Sequence, residues 1–204
     1  MHRFDVETLT AGRWRNGGGA TREIVSWPVG AEEFRWRASV ADIDGDGPFS
    51  AFPGVDRTLT LLAGGGVRLT APGGFDRTTR TEEPLAFPGD MEPAAELRGG
   101  PCRVLNLMVR RGRAAARVER VTGPVVPPGG HAGVLYVLRG RWRAVDGEVL
   151  LEAGQGVWWD ADDAAPGGAV EPRAPRAAAQ WADFAPGGGV RVTRPAPRSG
   201  SPPR

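Results

Sequence analysis

The 204-residue chain contains no lysine, one cysteine and two histidines. Each shortage excludes something. With lysine absent, all 26 basic residues are arginine, which stays charged, so the isoelectric point reaches about 9.4 at a net charge of only +2. Arginine without lysine, among abundant Ala, Gly and Pro, is the mark of GC-rich coding. A nucleic-acid surface would need the arginines gathered into a stripe; here they alternate with Asp and Glu along most of the chain, and no nucleic-acid partner is expected. The lone Cys102 cannot close an intrachain disulfide, which fits a reducing cytoplasm. Its only possible basic partners are His2 and His131, so it reads as a buried structural thiol. Two separated histidines cannot supply a His-rich metal centre. No metal and no other cofactor is expected. His131 follows a Gly/Pro loop with no nucleophile motif beside it, and reads as a loop or pocket-rim residue.

Long apolar runs are also missing. No segment approaches about 18 uninterrupted apolar residues, so no membrane span is expected. The opening MHRFDVETLTAGRW lacks the apolar stretch of a signal peptide, and a cytoplasmic location follows as the expectation. Helical periodicity is scarce too: the one candidate, around Arg113 to Arg120, reads as a short helix or none.

What the chain has is glycine and proline. The 31 Gly and 19 Pro make roughly a quarter of it. They fall in clusters such as DGDGP (44–48), FPG (52–54), AGGG (63–66) and FPGD (87–90), which supply the special backbone angles of tight turns. Between them run short alternating segments, the strand signature. Phe34, Trp36, Ala38 and Val40 alternate with Arg35, Arg37 and Ser39. Arg57, Leu59 and Leu61 alternate with Thr58, Thr60 and Leu62. Val104, Asn106, Met108 and Arg110 alternate with Leu105, Leu107 and Val109. Past a Pro/Gly break (123–130), strands are expected at Val134 to Leu138, Arg141 to Val145, Glu148 to Leu151 and Gly156 to Trp159. Residues 166–176 read as a long hairpin loop, 177–184 as a closing strand, and 186–204 as a disordered tail rich in Pro, Gly and Arg. The segment LTLLAGGGVRL (59–69) resembles LYVLRGRWRAV (135–145), a faint repeat that points to duplicated β units.

Three polar blocks carry the candidate chemistry. In WRNGGGATRE (14–23), Asn16, Thr21, Arg22 and Glu23 crowd three glycines. Such a loop either lays backbone N–H groups against an anion or forms a tight turn with a structural Arg–Glu pair; it is not a P-loop. In residues 34–62, Arg37 and Ser39 share one strand face. A guanidinium there pairs with Glu23 or Asp56, or presents its planar fork to a ligand carboxylate. Arg57 raises the same question, and Ser50, in a loop between two phenylalanines, bonds either a ligand or the local backbone. In NLMVRR (106–111), Asn106 and Met108 suit a small organic ligand, though methionine also simply fills core space.

The ordered motifs Trp14-Arg15-Asn16-Gly17-Gly18-Gly19, Thr21-Arg22-Glu23, Phe34-Arg35-Trp36-Arg37-Ala38-Ser39, Gly47-Pro48-Phe49-Ser50, Phe52-Pro53-Gly54 and Asp56-Arg57, with Asn106, Met108 and Arg110, resemble the HutD/Ves family over roughly residues 2–184. The resemblance implies an all-β, double-cupin (RmlC-like) fold with little helix. It would occupy residues 1–185, with a first unit about 20–111, a second about 125–185 and a shared N-terminal segment. It also implies a homodimer. Cupins usually carry a His-x-His motif near the position taken here by Arg57, so an arginine replaces the metal site and the expected ligand is a small anion. The family's link to histidine utilisation implies an accessory or regulatory protein that binds an intermediate such as formylglutamate or urocanate; the Ves branch is linked to stress. The chain departs from the family where an acid and a Phe commonly precede the Asn, here Val104 and Leu105. Alternatives are a metal-independent enzyme acting on a small carboxylate, with Glu23 or Asp56 as base, and a protein-interaction module.

Overall fold

The computed structural model describes residues 1–144, 149–161, 168–187 and 191–192. The strands, in order, are β1 (His2–Asp5), β2 (Ala11–Arg13), β3 (Gly19–Trp27), β4 (Trp36–Ile43), β5 (Gly47–Pro48), β6 (Val55–Ala63), β7 (Val67–Ala71), β8 (Phe75–Thr78), β9 (Pro84–Pro88), β10 (Ala94–Leu97), β11 (Cys102–Arg110), β12 (Ala114–Val121), β13 (Ala132–Arg139), β14 (Trp142–Ala144), β15 (Val149–Leu151), β16 (Gln155–Trp159), β17 (Glu171–Pro172), β18 (Ala178–Pro186) and β19 (Arg191–Val192). Among the described residues the only helical turn is a 3-10 turn, Val6–Thr8, where the Asp5 carboxylate accepts from the Glu7 N–H at 3.0 Å. No helix there is long and apolar enough to cross a membrane.

The strands form two six-stranded sheets, ordered β2-β3-β4-β11-β6-β9 and β1-β16-β13-β18-β12-β19, each accompanied by a smaller one, β5-β10-β7-β8 or β15-β14-β17. The pairing pattern repeats. The run β4-β11-β6-β9 in the first large sheet has its counterpart in β12-β18-β13-β16, and β8-β7-β10 in β15-β14-β17. Leu59 on β6 pairs with Asn106, as Leu135 on β13 pairs with Trp181. The segment that reads as a short helix or none, around Arg113 to Arg120, is strand β12. Ala114, Ala116 and Val118 are buried on one face, and the helix-favouring Ala, Arg and Glu content yields to that burial.

Three apolar layers hold the molecule. The two large sheets face each other across the largest, which takes Trp36, Ala38 and Val40 from β4, Leu105, Leu107 and Val109 from β11, and Val118, Val134, Ala182 and Phe184 from the facing sheet. The interior of the first unit holds Ala41, Ile43, Leu59, Leu61, Val67, Leu69 and Val104. The interior of the second holds Trp142, Trp159 and Trp181. Strand β4 is therefore covered on both faces, because successive side chains point to opposite sides. The expected loop 166–176 lies partly outside the described residues; within it, Val170 bridges Val125, and Glu171–Pro172 pairs with β14. Most of the expected tail also lies outside them. Pro186 ends β18, and Arg191–Val192 runs parallel to β12.

Candidate functional site

A cavity of about 620 Å³ opens at one end of the first unit. Its back wall is three neighbouring strands. Arg37, Ser39 and Ala41 come from β4, Arg57 and Leu59 from β6, and Val104, Asn106 and Met108 from β11. The register brings them together: Asn106 pairs with Ser39 on one side and Leu59 on the other, and Met108 with Arg37 and Arg57. Two loops form the mouth. One is the β2–β3 hairpin, with Arg13, Trp14, Arg15 and Asn16; the other is the segment around β5, with Phe49, Ser50 and Phe52.

Local chemistry holds both loops. In the hairpin, Gly17 takes a left-handed φ of 72°, the Asn16 carboxamide oxygen accepts from the Gly18 N–H at 3.0 Å, and the Trp14 indole N–H donates to the Thr21 hydroxyl at 2.8 Å. Gly19 lets the indole lie close, since a Cβ there would stand 3.1 Å from the ring. In the second loop the Phe52 N–H donates to the Gly89 carbonyl at 2.6 Å, the Gly89 N–H to Val55 at 2.7 Å, and the Gly54 N–H to the Asp90 carboxylate at 3.0 Å. That carboxylate is held below the usual range by the Gly54 N–H and by Arg111.

Arg57 is the unusual member. Its side chain is 5% exposed, and among the described residues no carboxylate pairs with it. One terminal nitrogen donates to the Ser50 carbonyl at 3.1 Å, and Nε has no partner. The guanidinium lies 5.5, 5.2 and 5.0 Å from the ring centres of Phe49, Phe52 and Phe87. Burial, with the positive charge of Arg37 behind it, lowers its pKa to about 10, which leaves it charged at neutral pH. The Ser39 hydroxyl and the Asn106 carboxamide oxygen, on the same wall, also lack partners among the described residues. Unpaired buried polar atoms are costly, and three of them stand on this one cavity wall.

Eight of the ten residues expected from sequence line this cavity: Asn16, Thr21, Arg37, Ser39, Ser50, Arg57, Asn106 and Met108. Arg22 does not. Thr21 faces the cavity, so its neighbour must face away, and Arg22 pairs with Asp42, whose carboxyl is also held by Arg103. Glu23 is outside the lining as well; its carboxylate takes the Arg37 Nε–H at 2.7 Å. Asp56, the other partner considered for Arg37, pairs with Arg111 instead. Sequence reasoning missed the aromatic mouth of Trp14, Phe49 and Phe52, because aromatic residues beside turns read equally well as core. It also missed Glu92, which carries no motif. Cys102 is buried, and burial pushes its thiol up to about 11.

The HutD family profile matches residues 6–176. The chain belongs to the HutD/Ves family. Protein Ves of Citrobacter koseri is 41% identical over 160 residues, which are 78% of this chain and 83% of that protein. The structure of HutD from Pseudomonas fluorescens SBW25, in a formate condition, superposes with a TM-score of 0.77 at 27% identity and covers 92% of this chain and 99% of its own. A cupin 2 conserved barrel domain protein from Leptotrichia buccalis shares the fold alone, with a TM-score of 0.54 at 14% identity over 91% of this chain and 96% of its own. The fold is thus an all-β double cupin. Many cupins hold a metal through histidines, yet the cavity of this HutD/Ves member offers Glu92 as its one acid and neither His nor Cys. Among the described residues no group of three or more His, Cys, Asp or Glu is placed to hold a metal. The donor set does not fit one.

Proposed function

We propose that the first-unit cavity binds a small anionic metabolite, and that the protein acts through that binding as an accessory or regulatory member of its pathway. The observation that carries this reading is Arg57: a buried guanidinium with no carboxylate partner among the described residues, on the wall of a cavity of metabolite size. An anion reaching it would complete a charge-assisted pair in a partly dried site, where such pairs are strongest. Phe49, Phe52, Leu59 and Val104 would take the apolar body of the same molecule. Family membership directs attention to intermediates of histidine degradation, formylglutamate and urocanate foremost. A catalytic role finds less support, since Glu23 and Asp56, the candidate bases, lie outside the lining and are each paired with an arginine.

The test is thermal unfolding of the tag-free protein against urocanate, formylglutamate, glutamate, histidine and formate. A ligand at about 100 times its Kd adds roughly 2.7 kcal/mol to native-state stability. One compound should raise Tm in the parent and not in Arg57→Met, with Arg57→Lys between them. Equal shifts in parent and Arg57→Met would place binding elsewhere and sink the reading.

A further inference from the structure

Four arginines surround the cavity, and they are not equivalent. Arg13 faces Asp44 at 3.8 Å, and Arg15 stands exposed on the rim. Arg37 and Arg57 stand together on the inner wall, both paired in register with Met108. One of them is compensated: the Glu23 carboxylate, half exposed and outside the lining, holds the Arg37 Nε–H at 2.7 Å. The other is not, since Arg57 is buried among three phenylalanines. The lining's other charged groups, Arg13, Arg15 and Glu92, are all exposed to solvent, which screens them; on the inner wall two guanidiniums and one carboxylate leave a single positive charge. Within a partly buried site, an unmatched charge of either sign is unfavourable.

We infer that Glu23 is the residue that sets the charge of this pocket, and that it matches the inner wall to a ligand group bearing one negative charge. This deepens the anion-binding reading and rests on it. A carboxylate facing Arg37 and Arg57 neutralises the excess. A dianionic group such as sulfate brings a second charge that Glu23 has already supplied, and meets repulsion from it. Glu23 also occupies Arg37 Nε, so the arginine is fixed by one edge while its side chain lines the cavity. It is a positioning and specificity-determining residue that need not touch the ligand.

The experiment is calorimetric titration of acetate and of sulfate into the parent, Glu23→Gln, Glu23→Asp, Glu23→Gln with Arg37→Gln, and Arg57→Met. Glu23→Gln is nearly isosteric at a half-exposed position, so the fold is retained, and an unchanged Tm checks this. The parent should favour acetate. In Glu23→Gln the preference should swing toward sulfate by about tenfold, the scale of one added unit charge a few ångströms away at surface-like screening. Glu23→Asp should keep the parent's ratio, and adding Arg37→Gln should restore it. An acetate-to-sulfate ratio unmoved within twofold in Glu23→Gln, while both anions still depend on Arg57, would overturn the role of Glu23 and leave the anion site standing. Binding of neither anion to the parent, or binding indifferent to Arg57→Met, would bring down both readings.

Discussion

Arg57 is the one charged side chain among the described buried residues, and its chemistry is open to a direct pH test. Desolvation, then the neighbouring charge of Arg37, lowers its pKa from the ordinary arginine range to about 10. The sign of the linkage follows. Below about 10 the folded and unfolded chains both carry the charge, and the fold bears the full cost of burying it. As pH climbs above about 10 toward the ordinary arginine range, the folded state sheds a proton that the unfolded state keeps, so the Arg57 contribution to stability rises with pH. Anion binding runs the opposite way, because it needs the charged form. Affinity for a carboxylate should be level from about pH 7 to 9 and decline above about 10, where the free site loses its proton. The chain suits the measurement. It has no lysine to titrate in this window, and its only tyrosine, Tyr136, is pushed up to about 12 by burial; Cys102, near 11, lies outside the cavity lining. Arg57→Lys should move the decline toward neutrality, since a desolvated ammonium gives up its proton sooner. Affinity that stays flat to about pH 11 would show that Arg57 keeps its proton there, and the loss of binding in Arg57→Met then decides whether its charge governs affinity.

Among the elements, β3 decides most about the site. Its first residue, Gly19, sits where a Cβ would come 2.3 Å from the Asp42 carbonyl and 3.1 Å from the Trp14 ring. Gly19→Ala must push β3 away from the Asp42 carbonyl of β4, and it crowds the indole as well, at a cost of about 1–3 kcal/mol, as for overpacked sites. It should also weaken ligand binding, because Trp14 forms part of the mouth. Gly12→Ala on neighbouring β2 is the control: its Cβ would meet only the Thr21 carbonyl, at 3.7 Å, and stability should change little. Chemical denaturation read by tryptophan fluorescence checks both, and equal stability of the two variants would refute the steric account. The same strand shows where sequence stops being legible. Alternation alone assigned the two faces of β4, β6 and β11, because each strand gives one face to the inter-sheet layer and the other to the first unit's interior or its cavity. In β3 alternation breaks. A bulge between Glu23 and Val25 shifts the pairing, so Glu23 stands opposite Ser39 while Val25 stands opposite Ala38 and joins the inter-sheet core. A bulge changes the face without changing the residue pattern, so the sequence carries no sign of it. In β12 the alternation of Ala114, Ala116 and Val118 was present, but Ala, Arg and Glu suit helices as well as strands.

For the whole molecule, the two units cannot be cut apart at the Pro/Gly break. Strand β1, at the N-terminus, pairs with β16, and β12, which precedes the break, pairs with β18; both complete the second large sheet. Cross-links add to this. Glu82 receives the Arg120 Nε–H at 2.7 Å and also pairs with Arg139, and the Thr60 hydroxyl donates to Gln180 across the buried layer at 3.3 Å. Urea unfolding should therefore be one transition, coincident by tryptophan fluorescence and far-UV circular dichroism. The cavity inherits this coupling, because the strands that present Arg37, Ser39 and Asn106 turn their other faces to the second sheet. Phe184 of β18 is the sharpest probe. It stacks on Trp36 at 4.7 Å and 15°, lies outside the cavity lining, and supports β4 directly behind Arg37. Phe184→Ala should cost about 3–5 kcal/mol, as for other buried phenylalanines. Below its Tm it should still loosen β4 enough to lower anion affinity, whereas Trp181→Phe, inside the second unit, should leave affinity alone. Two separated unfolding transitions, with Phe184→Ala shifting only one of them and sparing affinity, would mean that the second unit is not part of the support for the site.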